Sequence, residues 1–114
     1  STYPGVLSQV MSNLIINSLI HGFDGIDEGI ISIDAGMDND SIIMIYSDNG
    51  RGISEENLSK IFTPFFTTKK DKGGTGIGLS LVKNLIEETL KGKIACESVQ
   101  DKGTMFKISF PANI

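Results

Sequence analysis

Amides, a carboxylate and a dense run of glycines are the groups in this chain best suited to chemistry. Asn13 and Asn17 stand four residues apart, DNGRGI occupies 48–53, and GGTGIGL occupies 73–79. On a helix of period 3.6, Asn13 and Asn17 share one face, a turn apart. The neutral amide oxygen of Asn17 suits a hard Mg²⁺ ion that keeps some of its waters and also binds phosphate oxygens. Asp48 follows an apolar, strand-like run and precedes Gly50 and Gly52. Its carboxylate would project from the strand end, while the glycines let the backbone pass close to a flat ligand. A carboxylate there can accept from the amino group of adenine. Guanine would turn a carbonyl oxygen toward it, so the acceptor discriminates between the bases. Gly73, Gly74, Gly76 and Gly78 form the entry to a second helix, whose free N–H groups and dipole can hold phosphates. The three segments could surround one nucleotide.

Taken singly, each has a plainer meaning. Asp-Asn-Gly is a common turn, Asn17 alone could be a solvated helix amide, and glycines before a helix can be a loop. Four glycines within six positions weigh against the last, since each loses much conformational freedom when ordered. Two other phosphate motifs fail on sequence. Leu79 stands where a P-loop needs its Lys, and Leu79 and Leu81 stand where a dinucleotide fingerprint needs its third glycine. The net charge of −4 argues against nucleic acid as a partner. The single Cys96 can form no internal disulfide and falls in a strand-like run, which favours a buried thiol over a redox role. No apolar run approaches the ~18 residues of a membrane span, and the first residues lack a signal-peptide layout, so a soluble, cytoplasmic piece is expected.

The elements that must position these groups follow from periodicity. Val6 to about Gly22 reads as a helix with Leu7, Val10, Met11, Leu14, Ile15 and Leu19 as its buried stripe and Gln9, Asn13 and Asn17 as a polar one. Gly29–Gly36 and Ser41–Ser47 read as a hairpin about Met37-Asp38-Asn39-Asp40. Ser54 caps a short helix through about Ile61, and residues from Phe62 to Gly76 read as a long functional loop. A second long helix runs from near Gly76 to about Leu90, with Leu79, Val82, Leu85, Ile86 and Leu90 inward and Lys91-Gly92 ending it. Lys93–Val99 and Thr104–Phe110 form a closing hairpin. Helix, hairpin, helix, hairpin indicates an α+β fold in two layers, since a doubly wound parallel sheet needs a helical crossover between successive strands. The chain of 114 residues suits a single domain, 1–114.

In order and spacing, the segments resemble the N box, first glycine box, F box and second glycine box of the histidine-kinase branch of the GHKL (Bergerat-fold) ATP-binding superfamily. The F box is matched by Phe62-Thr63-Pro64-Phe65-Phe66-Thr67-Thr68-Lys69. The resemblance covers Val6 to Pro111. It implies a two-layer α/β sandwich, with a mixed, mostly antiparallel sheet of four to five strands covered on one face by about three helices. A fifth strand would precede the N-box helix, where only Ser1-Thr2-Tyr3 stand.

The resemblance also implies roles. ATP and Mg²⁺ are the expected cofactors, with Asn17 as metal ligand and Asn13 and Asn17 as the catalytic pair. Asp48 would select adenine, lined by Gly50, Gly52 and Ile53. Phe62, Lys69, Gly74, Thr75, Gly76, Ile77, Gly78 and Leu79 would belong to a lid over the nucleotide, with Lys69, Lys70 or Lys72 reaching the β- or γ-phosphate. Gly103-Thr104 resembles the final glycine box, so Thr104 is a further contact, although a hairpin turn explains the pair equally well. In relatives of the gyrase, mismatch-repair and heat-shock-chaperone type, a Glu at the position of Asn13 is the general base for water. An amide cannot take that proton at neutral pH, which suits a kinase that keeps its γ-phosphoryl group for a side chain. His21 lies outside the His-Glu or His-Asp context of a phosphoacceptor and is expected to cap the helix, pack beside the site or touch phosphate. Ile20 stands where many members carry Lys.

The implied function is the catalytic domain of a two-component sensor histidine kinase, passing the γ-phosphoryl group to a histidine on a separate dimerisation domain, with a response regulator downstream. The piece itself is expected to be monomeric and its parent a homodimer that could be membrane-anchored. Two alternatives share the fold: a serine-kinase anti-sigma factor and a degenerate nucleotide-sensing interaction module.

Overall fold

Isoleucine-rich runs on either side of Asn39-Asp40 fold back on each other in the computed structural model, which describes residues 4–23, 25–63 and 78–112. Strands β1 (Ile31–Asp38) and β2 (Ser41–Asp48) pair antiparallel. Asn39 turns the corner at φ 57°, in the left-handed region that Asn tolerates. The second hairpin joins β3 (Lys93–Val99) to β4 (Gly103–Pro111). β4 also pairs with β2, giving the order β1-β2-β4-β3. Among the described residues four strands are present and every pairing is antiparallel, so the mixed sheet reduces here to an antiparallel one. The inner strands β2 and β4 run in opposite directions, and each outer strand is the hairpin partner of an inner one. A fifth strand over residues 1–3 lies outside the described residues.

β1 starts two residues later than its β-branched run suggests. Asn49 holds the approach: its Oδ1 accepts from Ile30 N at 2.7 Å, and its Nδ2 donates to Glu28 O at 3.1 Å. Backbone groups engaged by a side chain in this way are withdrawn from the ladder.

Helix α1 (Pro4–Asn17) continues into a wide π turn over Ser18–Gly22, in which Phe23 N donates to Ser18 O, five residues back, at 2.8 Å. Ser18 continues the buried line of Val10 and Leu14, whereas Leu19 is 60% exposed, so the expected apolar stripe ends at Ile15. α2 (Glu55–Leu58) starts at the expected cap, with Ser54 Oγ accepting from Asn57 N at 3.2 Å. It stops short of Ile61, because Lys60 N and Thr63 N donate three residues back and tighten the chain into turns. α3 (Gly78–Asn84) also runs into a π turn, Leu85–Thr89. Lys91, at φ 60°, takes the left-handed position that ends it, and Gly92 N closes onto Ile86 O at 2.8 Å.

Both long helices lie on one face of the sheet. Val10 and Leu14 from α1 meet Val82, Ile86 and Leu90 from α3 and its extension, over Tyr46, Phe106, Ile108 and Phe110 of the inner strands. Residues opposite each other in a ladder share a face, and Tyr46 stands opposite Phe106, with ring centroids 6.3 Å apart. Each fully buried side chain of this size contributes about 1.5–3 kcal/mol. Only the start of the edge strand is covered: Ile31 packs against the core, whereas Ile33 and Met37, on the same face of β1, stay exposed.

Candidate nucleotide site

The last residue of β2 is Asp48, and period-2 geometry points it to the same side as Tyr46, toward the helices. Its Oδ1 accepts from Gly50 N at 3.0 Å, closing a turn across Asn49. Its Oδ2 accepts from Ser18 Oγ at 2.8 Å. Ser18 directly follows Asn17, so the carboxylate and the amide-bearing end of α1 meet at one corner. Behind them Tyr46 OH lies 2.7 Å from Ser18 Oγ and 3.1 Å from Leu14 O. Burial raises the phenol pKa above its ordinary value; the hydrogen bond shared with Ser18 opposes this and the nearby Asp48 charge adds to it, so Tyr46 is a neutral donor.

The turn after Asp48 is held on both sides. Arg51 N donates to Gly22 O at 2.7 Å, and Arg51 O accepts from Asp101 N of the β3–β4 turn. Gly50 and Gly52 owe their lack of a side chain to these contacts. A Cβ on Gly50 would lie 2.3 Å from Gly22 O, and one on Gly52, already at φ 72°, would lie 2.2 Å from Val99 O. What presses on both glycines is protein backbone, where the sequence suggested close passage of a ligand. Gly103, at φ 122°, is pressed in the same way against Asp48 O. Ser98 completes the clamp. Its one hydroxyl hydrogen goes to Gly103 O at 2.7 Å, so it accepts from Ile53 N at 2.7 Å and from Thr104 Oγ1 at 3.0 Å. Thr104 is buried, with its hydrogen given to Ser98, and Ile53 packs against the core.

The family model for histidine kinase-, DNA gyrase B- and HSP90-like ATPases matches residues 3–114. The chain belongs to that family. Sensor histidine kinase ZraS of Salmonella typhimurium is 42% identical over 95% of this chain and 22% of the relative. Sporulation kinase A of Bacillus subtilis is 43% identical over 92% of this chain and 16% of the relative. The chain thus spans about a fifth of the length of the curated relatives it matches. The catalytic domain of histidine kinase ThkA superposes with a TM-score of 0.78 at 34% identity, over 95% of this chain and 68% of that one.

For a member of this ATPase family, the amides of α1 are the next groups to place. Asn13 and Asn17 are half-buried, and Asn17 makes no side-chain cap to the helix backbone beyond it. Asn13 Nδ2 is sealed from solvent and has no hydrogen-bond partner among the described residues. A buried donor left unpaired costs about 1–3 kcal/mol, which an acceptor such as a phosphate oxygen or an ordered water would recover. This orphaned donor, one helical turn before the Asn17 amide on the helix whose end meets the Asp48 carboxylate, is chemistry that fits a nucleotide. His21 lies in the π turn, half-buried, one residue before the Gly22 that abuts Asp48. Phe62 sits edge-on to Phe106, 6.4 Å between centroids, beneath Lys83 Nζ at 5.5 Å. It lines a groove of about 470 Å³ beside the outer side of α3. Gly78 opens the described part of α3, and Leu79 packs on the core. Lys69, Lys70, Lys72, Gly74, Thr75, Gly76 and Ile77 lie outside the described residues.

Sequence reasoning missed Ser18, Tyr46 and Asn49. Tyr46 carried a usable signal, standing two residues before Asp48 and therefore on its face of the strand. Asn49 read as part of a turn, yet its side chain fixes the approach to β1.

Proposed function

We propose that residues 1–114 are the ATP-binding catalytic domain of a sensor histidine kinase, donating the γ-phosphoryl group of Mg-ATP to a histidine on the dimerisation domain of its parent. The observation that carries this is the corner itself, where Ser18 joins the Asp48 carboxylate to the end of the helix bearing Asn13 and Asn17. Asp48 accepts from the adenine amino group. Asn17 holds Mg²⁺, which when bound offsets charge on the phosphates. Asn13 donates to phosphate or water and removes no proton, so hydrolysis is disfavoured. Lys69 and the loop from Gly73 to Gly78 complete the phosphate contacts. A response regulator receives the phosphoryl group afterwards. The isolated chain acts as a cytoplasmic-side monomer, and the parent as a homodimer, free or membrane-anchored. Among the described residues, no helix is long and apolar enough to cross a membrane.

The test is calorimetric titration of the wild type and Asp48→Asn with ADP, with and without Mg²⁺, and with GTP as a control. Saturable, adenine-selective binding that Asp48→Asn abolishes is expected. A folded wild type that binds no nucleotide at millimolar concentration would leave only an interaction module.

A further inference from the structure

Three oxygens in a row behind the site have too few hydrogens for indifferent geometry. Tyr46 OH, Ser18 Oγ and Asp48 Oδ2 are linked at 2.7 and 2.8 Å, and Tyr46 OH also faces Leu14 O at 3.1 Å. Each hydroxyl has one hydrogen. Ser18 must give its hydrogen to the carboxylate, which has none to offer. The bond between Ser18 and Tyr46 is then made by the Tyr46 hydrogen, with Leu14 O as a weaker second acceptor. The chain is directional, from phenol to hydroxyl to carboxylate, and Ser18 and Tyr46 are both fully buried. Donor-to-donor ordering of this kind strengthens each link in a low-dielectric setting.

We propose that Ser18 and Tyr46 are positioning residues that fix the Asp48 carboxylate for recognition of the adenine amino group. Gly50 N holds one carboxylate oxygen and Ser18 the other, so the plane of the carboxylate is set before any ligand arrives. Ser18 reaches the carboxylate because it stands four residues beyond Leu14 and eight beyond Val10, on the line that α1 buries. Tyr46 in turn leaves Ser18 one useful orientation. The inference rests on the adenine-reading role of Asp48.

The test compares ADP with the diphosphate of purine riboside, which lacks the amino group, by calorimetry on the wild type, Ser18→Ala and Tyr46→Phe. Preserved unfolding midpoints establish that the variants are folded. The preference of the wild type for ADP should fall about tenfold in Ser18→Ala and about threefold in Tyr46→Phe, with purine-riboside diphosphate affinity unchanged to within about twofold. Should Ser18→Ala fail to fold, Tyr46→Phe, which removes one buried oxygen, carries the test. A wild type with no preference for ADP sinks the adenine reading itself, whatever the variants do. If the wild type discriminates and the variants keep the full preference, or lose both ligands in parallel, positioning by Ser18 and Tyr46 is wrong and their role is structural.

Discussion

Gly52→Ala should unfold the chain more easily without any reference to nucleotide. The added Cβ would stand 2.2 Å from Val99 O, whereas ordinary contact begins near 3.4 Å, so the β3–β4 turn must retreat by about 1 Å. That retreat pulls Asp101 N from Arg51 O, a loss of about 1 kcal/mol. The residue also keeps φ 72°, and a left-handed conformation costs a side chain about 1–2 kcal/mol. Together these give a destabilisation of about 2–3 kcal/mol, which at a slope of about 2 kcal/mol per molar lowers the urea midpoint by about 1–1.5 M. Gly36→Ala is the matched control. It sits in β1 with nothing within 4 Å of the added Cβ and without a positive φ, so its midpoint should hold or rise. The measurement is equilibrium urea unfolding of both variants in nucleotide-free buffer. A Gly52→Ala variant within about 0.5 kcal/mol of the wild type, yet unable to bind ADP, would show that this glycine serves ligand approach and that the backbone account is mistaken.

Two further outcomes rest on backbone and thiol chemistry. Lys91→Gly should raise the midpoint of thermal unfolding by relieving a left-handed residue at the end of the second long helix, a gain of about 1 kcal/mol; Lys91→Val should lower it. Burial, then the charges of Asp48 and Glu97, push the Cys96 thiol up to about 12, so at pH 8 only about one thiol in ten thousand is ionised and alkylation of the folded chain should be slow. The same shift has a sign for stability: the folded state holds this proton more tightly, so stability is full below the ordinary thiol value of about 8.5 and falls toward pH 12, by up to about 1.4 kcal/mol per pH unit, as pH-dependent urea unfolding would show.

The sheet was legible because its strands are β-branched runs bounded by Asn, Asp and Gly, and Lys93–Val99 appears with the bounds its pattern suggests. The second helix was legible for the same reason: Val82, Ile86 and Leu90 keep a strict spacing and all are buried. Leu19 went astray because periodicity carries the flank of Leu7, Met11 and Ile15 one turn further, whereas the buried line of Val10 and Leu14 ends on a polar residue, Ser18, which meets Tyr46 and Asp48. Asp48 stood out because a carboxylate at a strand end before two glycines carries its own chemistry. The contacts of Gly50, Gly52 and Thr104 did not, since Gly22, Val99 and Ser98 meet them only through the folded chain.

β2 receives its inner neighbour only from β4, with Asp48 opposite Thr104. Closing so long a loop is slow and is repaid only when both strands are present. During synthesis the first hairpin and α1 therefore leave the ribosome long before Gly103 can support the carbonyl of Asp48 or Asp101 can clasp Arg51. The corner that holds Asp48 is consequently a late product of folding, complete only when Gly103 and Asp101 are in place.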